Sequence, residues 1–218
     1  MTSRLPHFNS VVLDVDSTLC AMEGVDWLAA RRGAAVAEAV AALTGRAMDG
    51  ELPLDAVYGE RLRLITPTRA DIAALADEYQ RRLLPGARSA VARLRAAGIR
   101  VVLVSGGLRP ALLPLAEMLG VPASDVHAVD VRFDDEGCFR GFDDASPLAT
   151  QSGKGVVVRT LALPHPILAV GDGATDLAMA PDVDLFAAFT GVVRRDAVSH
   201  AAEHEVSTYE QILELALP

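Results

Sequence analysis

The chain carries two carboxylates, Asp14 and Asp16, directly after the short apolar run at residues 11–13. Such a run predicts a buried strand, on which side chains two positions apart point to the same side. Two like charges held this close are unfavourable unless a cation, a shared proton or both accompany them. The pair therefore indicates a cation site or a carboxylate that handles a proton. A strand end followed by an ordinary Asx or Ser turn is the other interpretation.

Polar residues also follow the apolar runs at residues 100–104 and 166–170. The first run leads into Ser105-Gly106-Gly107, whose glycines allow close backbone approach and whose N–H groups can cradle a phosphate. The second run leads into Asp172. Carboxyl ends of parallel strands share one edge of a sheet, so all these residues can form one site with Asp14. Taken singly, the glycine turn is equally well explained as an ordinary connection from strand to helix.

Asp172 and Asp176 lie four residues apart, with Gly173 between them. On a helix both would share one face, where a divalent cation turns their mild repulsion into stabilisation. Oxygen ligands of this kind suit Mg²⁺, whereas the other interpretation is that both acids favour a helix N-terminus. Lys154, flanked by Gly153 and Gly155, opens a predicted helix. A lysine there is usually solvated, but here it can neutralise both a phosphate and Asp14.

Arg61 lies within an otherwise apolar helical stripe. A cation on such a face needs an anion or reaches out to solvent. Arg61 is therefore a candidate for binding a ligand carboxylate, which arginine can hold through two hydrogen bonds. Glu23 is the complementary charge or, alternatively, a surface acid. His200 and His204 have a metal-compatible spacing, but their polar surroundings indicate surface histidines.

The elements that must position these side chains alternate between strand and helix, which predicts a doubly wound, parallel, Rossmann-like α/β sheet. Strands are expected at residues 10–16, 100–104, 166–170 and 184–189, and a β-hairpin at 126–142. The stretch from residue 20 to 84 instead has helical character, with helices at 30–43, after Pro53 and after a Thr68–Asp71 capping box. We expect a core domain of residues 1–20 and 85–218 and a small, inserted, all-helical cap of residues 21–84.

Composition narrows the function classes. Of 218 residues, 51% are hydrophobic and the formal net charge is −9, so nucleic acid is not an expected partner. The N-terminal stretch has no apolar core typical of a signal peptide, and no apolar run reaches membrane-spanning length. Cys20 and Cys138 are the only cysteines and form no metal-binding pattern. These features predict a cytoplasmic protein with free thiols, without a membrane partner.

Four motifs in order resemble those of the haloacid dehalogenase superfamily. They are Asp14-Val-Asp16-Ser-Thr18, Ser105-Gly-Gly, Lys154 and Gly171-Asp172-Gly-Ala-Thr-Asp176. Within this superfamily the chain is most similar to the phosphoserine phosphatase family. That similarity rests on Glu23, Thr44-Gly-Arg-Ala-Met48-Asp-Gly50, Glu60-Arg61-Leu62 and Pro85-Gly86, and the helical insertion resembles the small cap of that family.

The resemblance implies roles for individual residues. Asp14 would be the nucleophile that forms an aspartyl phosphate, and Asp16 the acid and base for the serine oxygen and the attacking water. Mg²⁺ would be held by Asp14, the Asp16 carbonyl and Asp172, with Asp176 supporting these ligands. The catalytic set is completed by Lys154. The substrate-binding set is Glu23 for the ammonium, Arg61 for the carboxylate, and Met48, Ser105, Gly106, Gly107 and Thr175.

The implied activity is Mg²⁺-dependent hydrolysis of O-phospho-L-serine, the last step of serine biosynthesis. One alternative is a phosphotransferase that moves the phosphoryl group to another alcohol, because it would have the same motifs. Another alternative is a phosphatase whose cap selects a different small phosphomonoester. A non-enzymatic phospho-acceptor module that resembles response-regulator receivers is a remote alternative, because both acids here lie on the first strand. A small phosphomonoester is the expected partner, and the chain is expected to be a monomer or a homodimer.

Overall fold

The structure, a computed structural model, describes residues 7–48 and 51–217. The strands are β1 (Ser10–Leu13), β2 (Arg100–Leu108), β3 (Val126–Val129), β4 (Val131–Phe133), β5 (Phe139–Phe142), β6 (Ile167–Gly171), β7 (Leu185–Phe189) and β8 (His204–Val206). The helices before β2 are α1 (Gly24–Ala30), α2 (Ala34–Met48), α3 (Leu54–Ile65), α4 (Arg69–Arg81) and α5 (Ala87–Ala96). Those after β2 are α6 (Arg109–Leu119), α7 (Gly153–Thr160), α8 (Ala174–Leu177), α9 (Asp196–Ala201) and α10 (Tyr209–Ala216).

Six strands form a parallel sheet in the order β3-β2-β1-β6-β7-β8. All residues of β1, β6 and β7 are buried, as expected of strands covered by helices on both faces. The predicted α/β fold with a parallel sheet is confirmed. Because β1 pairs with β2 on one side and β6 on the other, the strand order reverses at β1. Ligands bind at the carboxyl edge of such a reversal point.

Four helices, α1 to α4, lie between β1 and α5, so the helical character of the insertion is confirmed. The predicted continuous helix at residues 30–43 is wrong, because α1 ends at Ala30 and α2 starts only at Ala34. Gly33 lies in the break with φ of +105°, a conformation that glycine adopts without a steric penalty. Because alanines favour helix on both sides of Gly33, the composition does not show where the break between the two helices lies. The boundaries at residues 20 and 85 of a separate cap domain stay a prediction.

The hairpin prediction for residues 126–142 is wrong in its first half. Residues 126–129 form β3, which is parallel to β2 in the main sheet, and only β4 and β5 pair as an antiparallel hairpin. Val126 and Val129 are buried and pair with Leu103 and Leu108 of β2, so this segment belongs to the core of the main sheet. Strand β8 was not predicted, since three residues are too few for an alternating pattern. His204 lies in β8, and His200 is exposed at the end of α9.

Asp71 ties the start of α4 to residues just after α1. Its carboxylate accepts a hydrogen bond from the Thr68 N–H at 2.9 Å, and the Asp71 N–H donates to Thr68 Oγ1 at 3.2 Å, which confirms the predicted capping box. Arg32 Nη2 donates to the same carboxylate at 2.5 Å. We expect Asp71→Ala to lower the free energy of unfolding by about 2 kcal/mol, measured by urea denaturation.

The matched control is Asp77→Ala, because Asp77 is exposed on the same helix. Its effect should stay within about 0.5 kcal/mol. Equal midpoints and slopes for the two variants would contradict a stabilising role for Asp71. No helix in the two described ranges is long and apolar enough to cross a bilayer.

Candidate active site

The polar residues at the carboxyl edge of the sheet surround one cavity. Strand β1 ends at Leu13, one residue before Asp14, whose N–H donates to the Val170 carbonyl of β6 at 3.0 Å. The backbone thus holds Asp14 directly beside the end of β6, where Asp172 follows. The residues that line the cavity are Asp14, Asp16, Glu23, Val25, Arg61, Gly106, Lys154, Asp172, Thr175 and Asp176.

Lys154 bridges two of the acids. Its Nζ lies 2.5 Å from Asp14 Oδ1 and 2.5 Å from Asp176 Oδ1, and its side chain is buried. Burial alone would lower the pKa of Lys154, but the adjacent carboxylates of Asp14 and Asp176 raise it above its usual range. Lys154 is therefore a permanent positive charge next to Asp14.

The glycines around Lys154 explain why it is buried. A Cβ on Gly153 would lie 1.6 Å from the Pro147 carbonyl oxygen, and one on Gly155 would lie 2.5 Å from the Ala178 carbonyl oxygen. Only glycine at both positions lets the first turn of α7 approach these backbones. Lys154 is also the only lysine in the sequence, where every other permanently cationic side chain is an arginine. This unusual use of lysine was a sequence signal for a special role.

The three acids Asp14, Asp172 and Asp176 can hold a metal ion. Each offers one carboxylate oxygen, these oxygens lie within 4.8 Å of one another, and all three residues are buried. Burial and the charge of Asp176 raise the pKa of Asp14 well above its usual range, and they raise the pKa of Asp172 to about 6. A divalent cation between these oxygens would reverse both effects, since it favours the charged carboxylates.

The charge balance of the cavity supports this fit. Among the described residues its lining contains five carboxyl side chains and two cations, Arg61 and Lys154, and Arg195 adds a third cation beside Asp172, so that negative charge remains in excess. All-oxygen donor sets suit hard cations such as Mg²⁺, which takes few carboxylates and keeps several waters. The residues present thus fit a hard divalent cation.

Asp16 is held apart from this cluster by different partners. Its Oδ1 accepts hydrogen bonds from the Gly24 N–H at 2.8 Å and from the Tyr79 hydroxyl at 2.8 Å. Burial raises the pKa of Asp16, while these two hydrogen bonds oppose the shift. A raised pKa favours the protonated form of a carboxyl group, which a general acid needs. The partner Tyr79 was missed in the sequence, because its helical spacing placed it among apolar residues of α4.

The glycine turn at residues 105–107 lies inside β2, which continues to Leu108 rather than ending at residue 104. Its pairing with β3 shifts register between Val104 and Leu108, so the turn bulges out of the ladder. The Gly107 N–H donates to Ser105 Oγ at 2.9 Å, and a Cβ on Gly107 would lie 3.2 Å from Asp16 Oδ2. Thr175, buried in the first turn of α8, faces the same cavity.

Arg61 and Glu23 lie at the side of the cavity formed by the helical insertion. Arg61 is buried and its Nη1 donates to Thr44 Oγ1 at 3.1 Å, whereas its Nε has no hydrogen-bond partner among the described residues. Ser17 Oγ donates to Glu23 Oε1 at 2.6 Å. Burial and Asp16 raise the pKa of Glu23 to about 8. Met48 is the last residue of α2, but its side chain lies outside the described part of the chain.

Arg195 is a site residue that the sequence did not reveal. Its Nε donates to Asp172 Oδ2 at 3.0 Å, and its Nη2 lies 3.8 Å from Glu23 Oε1. Arg195 follows β7 in a stretch with an adjacent arginine, which resembles an ordinary charged surface loop. Arg195 directly precedes α9, and the packing of α9 against α8 brings the guanidinium to Asp172.

Comparison with known proteins adds to this geometry. Residues 11–181 match the model of the haloacid dehalogenase-like hydrolase family. The chain is 38% identical over 208 residues to phosphoserine phosphatase of Homo sapiens, covering 94% of this chain and 92% of that protein. A substrate-bound phosphoserine phosphatase structure has a TM-score of 0.80 at 25% identity, covering 94% and 97% of the two chains. A phosphoserine phosphohydrolase-like protein from Francisella tularensis shares the fold, with a TM-score of 0.88 at 21% identity over 96% and 100% of the chains.

Proposed function

This chain belongs to the phosphoserine phosphatase family of the haloacid dehalogenase-like hydrolases, and we propose that it hydrolyses O-phospho-L-serine to L-serine and phosphate with Mg²⁺. One observation carries the proposal. A single cavity has Asp14, Lys154 and the acid cluster at the sheet edge, and Arg61 and Glu23 on the side of the helical insertion. A phosphate and an amino-acid group are the two ends of phosphoserine. Because the chain belongs to a hydrolase family, the alternative of a non-enzymatic, receiver-like phospho-acceptor module is set aside.

In the first step an Asp14 carboxylate oxygen attacks phosphorus, and the bond between phosphorus and the serine oxygen breaks. Asp16, whose pKa is raised by burial, donates a proton to the leaving serine oxygen. The product is an aspartyl phosphate on Asp14. In the second step Asp16 takes a proton from water, which attacks this phosphorus and releases phosphate and the free Asp14 carboxylate.

The transferring phosphoryl group carries charge that the site must neutralise. Lys154, the Ser105 hydroxyl and the Gly106 N–H would take that role, and Asp176 holds Lys154 in position at 2.5 Å. The residues that would hold Mg²⁺ are Asp14, Asp172 and the Asp16 carbonyl, with Asp176 beside them. Bound there, the ion would supply further positive charge for the phosphoryl oxygens.

Substrate choice rests on the insertion. The Arg61 Nε lacks a partner among the described residues and is buried, so a substrate carboxylate would supply the missing hydrogen bond. Glu23 would accept the substrate ammonium. Residues 21–84 would thus act as the cap that selects the amino-acid end, and Met48, Gly107 and Thr175 would complete the binding set. The free thiols of Cys20 and Cys138 agree with the proposed cytoplasmic role in serine biosynthesis.

The test is phosphate release from L-phosphoserine, phosphoethanolamine, O-phosphothreonine and p-nitrophenyl phosphate, with Mg²⁺ or with EDTA. We expect kcat/KM for phosphoserine to exceed that for phosphoethanolamine by roughly 10², since the latter lacks the carboxylate. EDTA should abolish turnover of every ester. Equal kcat/KM values for phosphoserine and phosphoethanolamine would refute phosphoserine as the substrate but would still support phosphomonoester hydrolysis. A lack of phosphate release from all four esters would refute phosphomonoester hydrolysis itself. Full activity in EDTA would refute the dependence of turnover on Mg²⁺.

We expect Arg61→Ala to lower kcat/KM for phosphoserine by roughly 10²-fold, mainly by raising KM. The kcat/KM for phosphoethanolamine should change less than threefold, which corresponds to about 0.7 kcal/mol. The loss of the buried guanidinium removes the proposed carboxylate contact and nothing at the phosphate. Initial rates over a range of substrate concentrations give kcat and KM for each of the two substrates. Arg63→Ala is the matched control, because Arg63 is exposed on the same helix. An equal loss with both substrates would contradict the carboxylate role.

A further inference from the structure

Tyr58 links the helical insertion to the glycine turn. This side chain of α3 is buried, and its hydroxyl donates to the Gly106 carbonyl oxygen at 2.8 Å. An apolar side chain would suffice if filling space were its only role, because a buried hydroxyl costs free energy unless it is hydrogen-bonded. Here its partner is an atom of the turn that lines the cavity.

The peptide group between Gly106 and Gly107 is held at both ends. Tyr58 holds the Gly106 carbonyl, and Ser105 Oγ accepts a hydrogen bond from the Gly107 N–H at 2.9 Å. Two successive glycines have the largest backbone freedom of any pair. A hydrogen bond from the insertion therefore restricts a turn that would otherwise adopt several conformations.

The ring of Tyr58 contacts two further groups. The guanidinium carbon of Arg61 lies 5.4 Å from the ring centroid, a cation–π distance, on the same helix. The ring of Phe142, in β5, lies 5.2 Å away at an interplanar angle of 57°. One side chain thus contacts the glycine turn, Arg61 and the β4–β5 hairpin.

We propose that Tyr58 is a positioning residue that couples the helical insertion to the geometry of the phosphate-binding turn and supports Arg61. The proposal rests on the proposed function, since it assumes that the turn binds the phosphoryl group and that Arg61 binds the carboxylate. The Tyr58 hydroxyl holds the Gly106–Gly107 peptide group, while its ring supports the guanidinium of Arg61. One side chain of the insertion thus positions groups at both the phosphate end and the amino-acid end of the cavity.

Two variants separate the hydroxyl from the ring. Tyr58→Phe keeps the ring and should lower kcat by about five- to tenfold for phosphoserine and p-nitrophenyl phosphate alike, with KM within about twofold. Tyr58→Leu also removes the cation–π contact and should in addition raise KM for phosphoserine by about tenfold, but not for p-nitrophenyl phosphate. Unchanged kcat in Tyr58→Phe, or a loss with phosphoserine alone, overturns the role in the turn.

Ser10→Ala is the control. The Ser10 hydroxyl is also buried and donates to a backbone carbonyl, that of Pro164, at 2.8 Å, at the start of β1 and away from the cavity. This variant should lose similar thermal stability while kcat stays within about twofold. An equal kcat loss in both variants would show that Tyr58 has only a structural role. Because p-nitrophenyl phosphate has no amino-acid end, its kcat tests the coupling even if phosphoserine is not the substrate.

Discussion

Asp14→Asn is expected to reduce kcat for phosphoserine by roughly 10⁴-fold or more, the scale on which enzymes lose activity without their nucleophile. The amide keeps the shape of the side chain but has no anionic oxygen to attack phosphorus. Asp16 and Asp172 are oriented by other partners, since Asp16 Oδ1 accepts hydrogen bonds from Tyr79 and Gly24 and Asp172 Oδ2 accepts one from Arg195, so we expect neither to replace it. The measurement is phosphate release with Mg²⁺ at saturating substrate.

The control for Asp14→Asn is Asp77→Asn, which changes an exposed carboxylate of α4. It should retain wild-type turnover. Circular dichroism of Asp14→Asn should match wild type, because the amide oxygen can still accept a hydrogen bond from Lys154. Turnover above about 1% of wild type in Asp14→Asn would contradict nucleophilic catalysis by this residue.

Lys154→Met is expected to reduce kcat by roughly 10³-fold and to lower the free energy of unfolding by about 3 kcal/mol. Methionine has a similar volume, but it leaves Asp14 and Asp176 buried without the ammonium that now lies 2.5 Å from each. It also removes the positive charge that the transferring phosphoryl group needs. Phosphate release measures the first effect, and urea denaturation without Mg²⁺ measures the second.

Lys154→Arg is the informative companion variant. It restores the charge, but the planar guanidinium is larger and differs in geometry from an ammonium between two carboxylates. The close approach of α7 at Gly153 and Gly155 leaves no room for it to shift outward. We expect less than a tenth of wild-type kcat. Wild-type kcat in Lys154→Met would contradict the role of Lys154.

Mg²⁺ offers an independent readout for Lys154→Met. A divalent cation should stabilise this variant more than wild type, because three buried carboxylates then face the cavity without Lys154. Thermal melting with and without Mg²⁺ measures this difference. An equal shift in both proteins would show that the cation does not contact this acid cluster.

The sequence was sufficient for the acids that follow the apolar runs but not for the strand ends, since β1 ends at Leu13 rather than at residue 16 and β2 continues to Leu108 rather than ending at residue 104. Asp14, Asp16 and Asp172 each come after an apolar run, and a parallel sheet brings such positions to one edge whatever the length of chain between them. The hairpin boundary at Val129 could not be predicted, because alternation looks the same in a hairpin and at a sheet edge. The break at Gly33 was hidden by alanines on both sides.

Contacts made by side chains across the fold were the part that could not be predicted. Tyr58 and Tyr79 have helical spacing that places them among apolar residues, and a periodic pattern does not show where their hydroxyls lie. Arg195 reaches Asp172 through the packing of α9 against α8, which no local pattern shows. The burial of Lys154 depends on backbone approach at two glycines, which requires coordinates.

The most direct test of the aspartyl-phosphate mechanism is rapid acid quenching of the wild-type protein during turnover of [³²P]phosphoserine with Mg²⁺. We expect one labelled peptide that contains Asp14, with label that is released by hydroxylamine, as expected of an acyl phosphate. We expect no label in Asp14→Asn. Phosphate release without any labelled protein, or label on a residue other than Asp14, would contradict the aspartyl-phosphate mechanism.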